Sequence, residues 1–477
     1  MKEYEIVMGL EVHVELATNS KLFCSCSAKF GADANEHVCP ACAGMPGMLP
    51  IANKKAIELG IAASIVTNSR ITPVISFDKK NYFYPDLSCG YQTTQLYAPI
   101  CKDGCVEIET SAGKKNITLK QIHIEEDAGK LVHSHGVSLV DYNRCSVPLV
   151  EIVSNPDFRS AEEVVAYLEK LRALLSFAGV SDCKMQEGSM RCDVNLSVRE
   201  KGSDKLGVRT EMKNMNSLSA IERAIEYEAQ RHIDAIETGC EELVQETRRW
   251  DDTACKSFSM RNKENATDYR YFPNCDIMPI AISEDWIEAV RATLPESAHD
   301  KYARMTGELG ISEVDAKIIT KSKHLSDIFD ALMSHDIPAK DAVTWIVVEL
   351  LSLETEENKS YDDIDIDCDK LADLIAMVNK KEINRTVAKK ILALLYTDKI
   401  DPKTYVKENN LGMVSDTGAI EAIIAELIAE NPASVKEYKD GNAKVFTFFV
   451  GKTMKKTAGK ADPAVVREIL TKMLNEA

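Results

Sequence analysis

No apolar run in this chain approaches the roughly 18 residues needed to cross a bilayer, so no membrane span is expected. Positive charge is not in excess either: Lys plus Arg total 58 against 75 for Asp plus Glu, a net charge of −17. That balance argues against a protein that coats nucleic acid non-specifically, while leaving room for a local basic patch. Common nucleotide and metal signatures are also missing. No G-x-x-x-x-G-K-[ST] occurs; Gly451, Lys452 and Thr453 come close, but Phe446 stands where the first glycine belongs. G-x-G-x-x-G and H-E-x-x-H are absent, which argues against a kinase of the usual fold and a Rossmann dehydrogenase. Glu3, Glu5, Glu11 and Glu15 do not belong in a secretory signal or a mitochondrial presequence, so a cytoplasmic location is expected.

What is present is the composition of a soluble globular protein, 45% apolar and 28% charged. At 477 residues it exceeds one compact core and suggests two to four domains. Fourteen cysteines without an export signal are expected to be reduced, so clustered ones are candidate metal ligands.

Three textures follow one another. Residues 1–294 carry short alternating runs that predict strands, interrupted by two helices. One starts at Ser160, spaced from Glu163 as in a capping box, and stops at Gly179; the other lies between Ser219 and Gly239. Strands with a few helices, lacking strict βαβ alternation, predict an α+β domain on a largely antiparallel sheet. In 295–405 the spacing is helical, notably over Asp341–Leu351 and Asp373–Leu394. An acidic connector, Glu354 to Asp369, separates those two segments; its Asp363, Asp365 and Asp367 resemble a calcium loop, but Cys368 replaces the required glycine. Residues 406–477 predict a small helical tail. Asp401–Ala477 holds eleven basic and eleven acidic residues, so residues 1–400 account for the whole net charge. Within the tail, Lys444, Lys452, Lys455, Lys456 and Lys460 form a run without an acid, either a docking face for an anionic partner or a solvated helix surface.

The strongest chemical pattern is period-two alternation on separate strands. In Leu10–Leu16 the pleat puts Glu11, His13 and Glu15 on one face and aliphatics on the other. Ile122–Glu125 repeats it with His123 and Glu125, followed by Glu126 and Asp127. Asp193–Arg199 and the set Arg209, Glu211 and Lys213 supply two further polar edges. An ordinary sheet with one wet face would look like this. Yet clustered carboxylates repel unless a cation sits among them, and hard oxygen donors with one imidazole suit Mg²⁺ or Mn²⁺. Nearby Lys and Arg would then hold phosphates bridged by the metal. A second pattern is Cys24, Cys26, Cys39 and Cys42, suited to a closed, structural Zn²⁺ site, with an iron–sulfur cluster or free thiols as alternatives. The run Lys79–Asp86 interleaves aromatic and basic residues, which serves either base stacking or core and edge packing.

Long motifs join these patterns: Gly9–Leu16 (GLEVHVEL), Lys80–Leu87 (KNYFYPDL), His123–Lys130 (HIEEDAGK) and Ser138–Arg144 (SLVDYNR). Pro148–Ser154 (PLVEIVS), Arg191–Asp193 (RCD), Lys213–Ser217 (KNMNS), Gln245–Arg248 (QETR) and Asp268–Pro273 (DYRYFP) continue the series, with Asp416–Gly418 and Gly451–Lys452 in the tail. Together they resemble the B subunits of the aspartyl/glutamyl-tRNA(Asn/Gln) amidotransferases (GatB) over essentially the whole chain. The resemblance implies a cradle-shaped catalytic domain, a helical domain and a small helical tail that contacts tRNA. It implies a heterotrimer with an amidase partner and a small belt-like partner, the A and C subunits of such complexes, and a channel between subunits that carries ammonia. ATP would phosphorylate the side-chain carboxylate of a misacylated Glu-tRNA(Gln) or Asp-tRNA(Asn), and ammonia would then amidate it. On this resemblance Mg²⁺ falls to His13 and Glu125, with Glu11, Glu126, Glu151, Asp193 and Glu211 as further ligands or bases. Glu126 breaks the pleat phase of Glu125 and would instead face the ammonia exit. Lys80, Arg199 and Lys213 are the phosphate contacts, and the five tail lysines touch tRNA. Two positions depart from the family pattern: Cys89 stands where Lys is frequent, and Asn155 where Glu is usual before Pro156. Two other readings of the same residues are a non-catalytic, zinc-stabilised tRNA-recognition scaffold and a glutamine-synthetase-type ammonia ligase acting on free glutamate.

Overall fold

The computed structural model describes residues 3–262, 269–353, 361, 364–412, 417–439, 444–457 and 463–476. The chain divides after Ala298 into two compact units. In the first unit the strands are β1 (Tyr4–Glu15), β2 (Arg70–Ile71), β3 (Val74–Ile75), β4 (Asp78–Asn81), β5 (Tyr91–Thr94), β6 (Cys101–Thr110), β7 (Gly113–Glu126) and β8 (Lys130–Ser134). They continue with β9 (Val137–Asp141), β10 (Pro148–Ser154), β11 (Met190–Glu200), β12 (Thr210–Lys213), β13 (Glu246–Asp251), β14 (Lys256–Asn262), β15 (Phe272–Pro273) and β16 (Ile280–Ala281).

Nine of these form one sheet in the order β14-β13-β12-β11-β1-β10-β7-β6-β2. Its pairs are antiparallel except β12 with β13, which run parallel. The α+β expectation therefore holds, with one parallel pair in a largely antiparallel sheet. Pleating sorts the side chains. Leu10, Val12 and Val14 of β1, Ile122 and Ile124 of β7, and Val150 and Ile152 of β10 share one face, each at most 1% exposed. Helices α1 (Lys54–Val66), α2 (Ala161–Phe177) and α3 (Leu218–Thr238) supply the other half of that core. The capping box holds, since Ser160 accepts from the Glu163 amide. For α3 the cap is Ser217, two residues before the expected start, and Gly239 ends the helix in the left-handed region at φ 66°. Gly60 lets α1 lie close behind the sheet, because a Cβ there would meet Ile124 Cδ1 at 2.9 Å. A separate three-stranded sheet, β15-β4-β5, carries Lys80.

The second unit is helical, with one apolar cluster from Met305 to Val406 and another from Ile420 to Leu474. The continuous helix expected over Asp373–Leu394 is instead two, Cys368–Asn379 and Arg385–Asp398. Lys381 takes a left-handed φ of 59° between them, and Asn384 caps the second by accepting from Val387 N. In the segment expected to be helical over Asp341–Leu351, an α-helix (Ala339–Thr344) passes into a π-turn (Trp345–Leu350). That turn buries Glu349 against Arg385 at 2.9 Å and Lys389 at 2.8 Å. The acidic connector lies mostly outside the described residues. Of its parts that are described, Asp365 pairs with Lys399 at 2.9 Å and Asp367 caps the next helix. No helix among the described residues is long and apolar enough to cross a membrane.

Core packing gives a direct test. Leu168→Ala on α2, a side chain 1% exposed, should destabilise the protein by about 2–5 kcal/mol, seen as a lower urea midpoint. Val137→Ala on the exposed β8–β9 hairpin should leave the midpoint unchanged.

Candidate active site

The face opposite the aliphatic layer is built by strand register. β1 sets Glu11 opposite Asp193 and His13 opposite Arg191 on one side, and His13 opposite Glu151 on the other. Glu151 faces His123 of β7, and Asn195 of β11 faces Glu211 of β12. Glu211 lies beside Thr247 of β13. Six neighbouring strands thus deliver polar side chains to one surface, with Thr247 coming from β13.

These residues gather into two groups whose donor atoms all lie within 4.8 Å of one another: His13, Glu125 and Glu151, and beside them Glu11, Asp193 and Glu211. In the first, His13 Nδ1 is 3.2 Å from Glu125 Oε1 and 3.9 Å from Glu151. His123 Nε2 lies 3.1 Å from Glu151 and 3.5 Å from Glu125. His13 Nε2 reaches 3.9 Å towards Asp193, which links the groups. In the second, Asn195 donates to Glu11 at 3.0 Å and Thr247 to Glu211 at 2.8 Å. Lys213 bridges Asp193 and Glu211, the latter at 3.3 Å. Carboxylate oxygens with one imidazole form a donor set that fits Mg²⁺ or Mn²⁺. At the second group a cation would have to displace or share the position of the Lys213 ammonium.

Two cavities of about 660 and 460 Å³ open on this cluster, and both are lined by His13, Lys80, Glu125, Glu151, Asp193 and Lys213. Lys80 reaches it from β4, its ammonium 5.7 Å from the Tyr82 ring centre and 4.9 Å from that of Tyr269. Burial opposes its charge, but Tyr271, Glu125 and Glu151 more than compensate and raise its pKa.

Other candidate residues lie elsewhere. Glu126 turns away from the cluster, accepts from the Thr93 amide at 2.8 Å, and lines a third cavity of about 270 Å³ with Cys24, Cys42 and Cys89. Burial raises its pKa. Arg199 is not brought to the cluster: its Nε donates to Glu5 at 2.8 Å. Six residues of strand, about 20 Å, separate it from Asp193. The sulfurs of Cys24, Cys26, Cys39 and Cys42 converge, with Cys42 Sγ 3.9 Å from Cys39 and 4.0 Å from Cys26. Bonds of about 2.3 Å to a central Zn²⁺ would set tetrahedral sulfurs about 3.8 Å apart, so the site fits that ion. In the tail, Lys456 pairs with Glu426 at 3.1 Å and Glu430 at 3.4 Å, and Lys452 donates to Asn431 at 3.1 Å. Lys455 is exposed; the Lys444 side chain and Lys460 lie outside the described residues. The aromatic run after Lys80 is not core packing throughout, since Phe83 is 84% and Tyr84 57% exposed.

Sequence reasoning passed over His123, Arg191, Asn195, Thr247 and Arg249 as site residues. The first three share the pleat phase of Glu125 or Asp193, so the alternation already pointed to them. Thr247 and Arg249 arrive through the parallel β12–β13 pairing, for which no local signal exists.

Burial opposes a charged imidazole, yet Glu151, Glu125 and Asp193 outweigh it and lift the His13 pKa to about 9. His123 rises to about 10, with Glu151 and Glu125 outweighing its burial. Burial pushes Glu125 and Glu151 up, but the two imidazoles overcome it and hold both below the ordinary carboxylate value. An unfolded histidine titrates near 6.5, so the folded state holds these protons more tightly. The stabilisation is complete below pH 6.5 and is lost as pH rises through about 9 to 10. The melting temperature of chelator-treated protein should therefore fall between pH 7 and 10. Mg²⁺ should flatten that fall, because a divalent cation replaces the protons. Equal slopes with and without Mg²⁺ would detach cation binding from these residues.

The family described as the GatB/GatE catalytic domain matches residues 6–288, and that described as the GatB domain matches residues 327–474. The B subunit of an aspartyl/glutamyl-tRNA(Asn/Gln) amidotransferase from Lachnoclostridium phytofermentans is 52% identical over 479 residues, covering 100% of both chains. Those from Agathobacter rectalis and Caldicellulosiruptor bescii are 51% and 49% identical, each covering 99% of this chain and 100% of the relative. Each of these relatives is named as one component of a larger amidotransferase. With matches of this extent, the chain belongs to the family of aspartyl/glutamyl-tRNA(Asn/Gln) amidotransferase B subunits.

Proposed function

We propose that this chain performs the ligase half of tRNA-dependent amidation, converting Glu-tRNA(Gln) or Asp-tRNA(Asn) to the corresponding amide with consumption of ATP. The observation that carries the reading is the pair of ligand groups on one sheet face, flanked by Lys80 and Lys213 and open to two cavities. A carboxylate is a poor electrophile because oxide leaves badly. Transfer of the γ-phosphoryl group to a carboxylate oxygen releases ADP and leaves an acyl phosphate. Attack by ammonia on the acyl carbon then expels inorganic phosphate, and a proton leaves the nitrogen.

The residues divide this work. His13, Glu125 and Glu151 would hold one Mg²⁺ and Glu11, Asp193 and Glu211 a second, supplying the positive charge that lets ATP meet a carboxylate. Lys80 steadies phosphate oxygens from its tyrosine cage, and Lys213 does so once freed from Asp193. Glu126, held apart beside the third cavity with a raised pKa, is placed to guide ammonia in and accept its proton. Zn²⁺ on the four cysteines is structural, because a closed S₄ site has no open position. We assign the partners as an amidase and a small third protein, the A and C components of a cytoplasmic heterotrimer, with ammonia passing through a channel between them. Residues 406–477 would meet the tRNA through the helix Lys444–Lys456 and the lysine run ending at Lys460.

The test is phosphate release from ATP by the assembled complex, with and without each mischarged tRNA. Glu125→Gln should lower tRNA-dependent phosphate release and amidation by at least about 10²-fold while glutamine hydrolysis continues. Amidation retained in that variant would sink the metal assignment. For the cysteine site, Cys42→Ser should reduce bound zinc from about one ion per chain to none, measured by elemental analysis, and lower the melting temperature.

A further inference from the structure

The three-stranded sheet β15-β4-β5 meets the end of β7 through consecutive polar contacts instead of a backbone ladder. Gln92 Nε2 donates to the Glu126 carbonyl at 2.9 Å, and the Thr93 amide to Glu126 Oε1 at 2.8 Å. Thr94 Oγ1 donates to Glu125 Oε2 at 3.2 Å, and the Ile124 amide donates to Gln95 Oε1 at 2.9 Å. All four residues from Gln92 to Gln95 are buried. The strap sends two adjacent carboxylates in opposite directions, Glu125 into the acidic cluster and Glu126 into the third cavity. The strap has its own anchor, since Ser88 Oγ donates to the Cys42 carbonyl at 2.7 Å. Gly44 allows that approach: its φ is +68°, and a Cβ there would meet Ser88 O at 2.6 Å.

A ligating carboxylate is ionised and only accepts hydrogen bonds, so its orientation depends on the donors around it. Glu125 has two imidazoles near it, both of which a bound cation would compete with or reorganise. The Thr94 hydroxyl is different: it comes from another sheet, is 4% exposed as a residue, and has no part in either ligand group. We propose that Thr94 is a positioning residue for the metal site, its hydroxyl fixing the rotamer in which Glu125 presents an oxygen to the cation. This inference rests on the reading of Glu125 as a metal ligand.

The experiment is Mn²⁺ binding to the full-length protein, followed by electron paramagnetic resonance with Mn²⁺ standing in for Mg²⁺. Thr94→Val keeps volume and β-branching but removes the donor, and should weaken the Mn²⁺ dissociation constant about 10-fold. Thr94→Ser keeps the donor but loses a methyl group, and should bind as the unaltered protein does. A packing role gives the reverse order, with Val tolerated and Ser impaired, and that result would overturn the proposal. Should the valine variant not fold, Thr94→Ala must show the same loss, and wild-type affinity in it overturns the proposal equally. Glu125→Gln separates the two readings. If it lowers bound Mn²⁺ by one ion per chain while Thr94→Val leaves affinity intact, the positioning role fails and the ligand assignment stands; if Glu125→Gln itself binds the same number of ions with unchanged affinity, the ligand assignment fails first.

Discussion

Mutual repulsion among Glu11, Glu125, Glu151, Asp193 and Glu211 is the constraint to which this sheet face answers. Two like charges 4 Å apart repel by about 4 kcal/mol at an effective dielectric near 20, and here several such pairs are held by strands that cannot separate. Every positive group nearby offsets part of it. His13 and His123 keep their protons well above the usual imidazole range, Lys213 lies between Asp193 and Glu211, and Lys80 waits in its aromatic cage. Protons and an ammonium balance this face, and on the proposed function divalent cations would take their place.

Repulsion of this size would spread a pliable scaffold, so the rigidity beneath it matters. The aliphatic layer supplies most of it, with α1 close behind Ile124 and α2 and α3 completing the core. At the far edge a buried polar network fixes the strands. Glu228, fully buried on α3, accepts from Arg231 at 2.6 Å and from Ser257 at 2.7 Å, and has its pKa held near 2. Such a network contributes little net stability, because desolvation offsets the pairing, but it holds one geometry. That geometry sets β13 beside β12 and brings Thr247 to Glu211.

Much of this was legible in the chain because β-strands write their faces at period two. Leu10–Leu16, Ile122–Glu125 and Asp193–Arg199 each announced a polar edge, and register alone was needed to merge them. The same alternation misled for Arg199, which shares the face of Asp193 but lies too far along β11; periodicity gives direction, not distance. Capping chemistry marked the start of α2 correctly, whereas α3 begins at its Ser217 cap, two residues before the start expected at Ser219. The break at Lys381 was hidden, since a left-handed lysine leaves no signature in the apolar spacing. The β5 strap was illegible for a related reason: side-chain bonds between sheets obey no period.

Glu125 and Glu126 are joined by one peptide bond and yet serve separate compartments. The phase of β7 sets the direction of each, and the contacts from Thr93 and Thr94 hold it there. Along the β6–β7 hairpin, the turn at Ser111–Ala112 can absorb changes in length, because it lies at the exposed tip. Past the point beside Ser154 where the β7–β10 register shifts, however, gaining or losing a single residue between Ile122 and Glu126 would swap the two acids' addresses and turn Ile122 and Ile124 outward. Lineages of this protein should therefore tolerate indels at the tip of that hairpin and forbid them along its inner half.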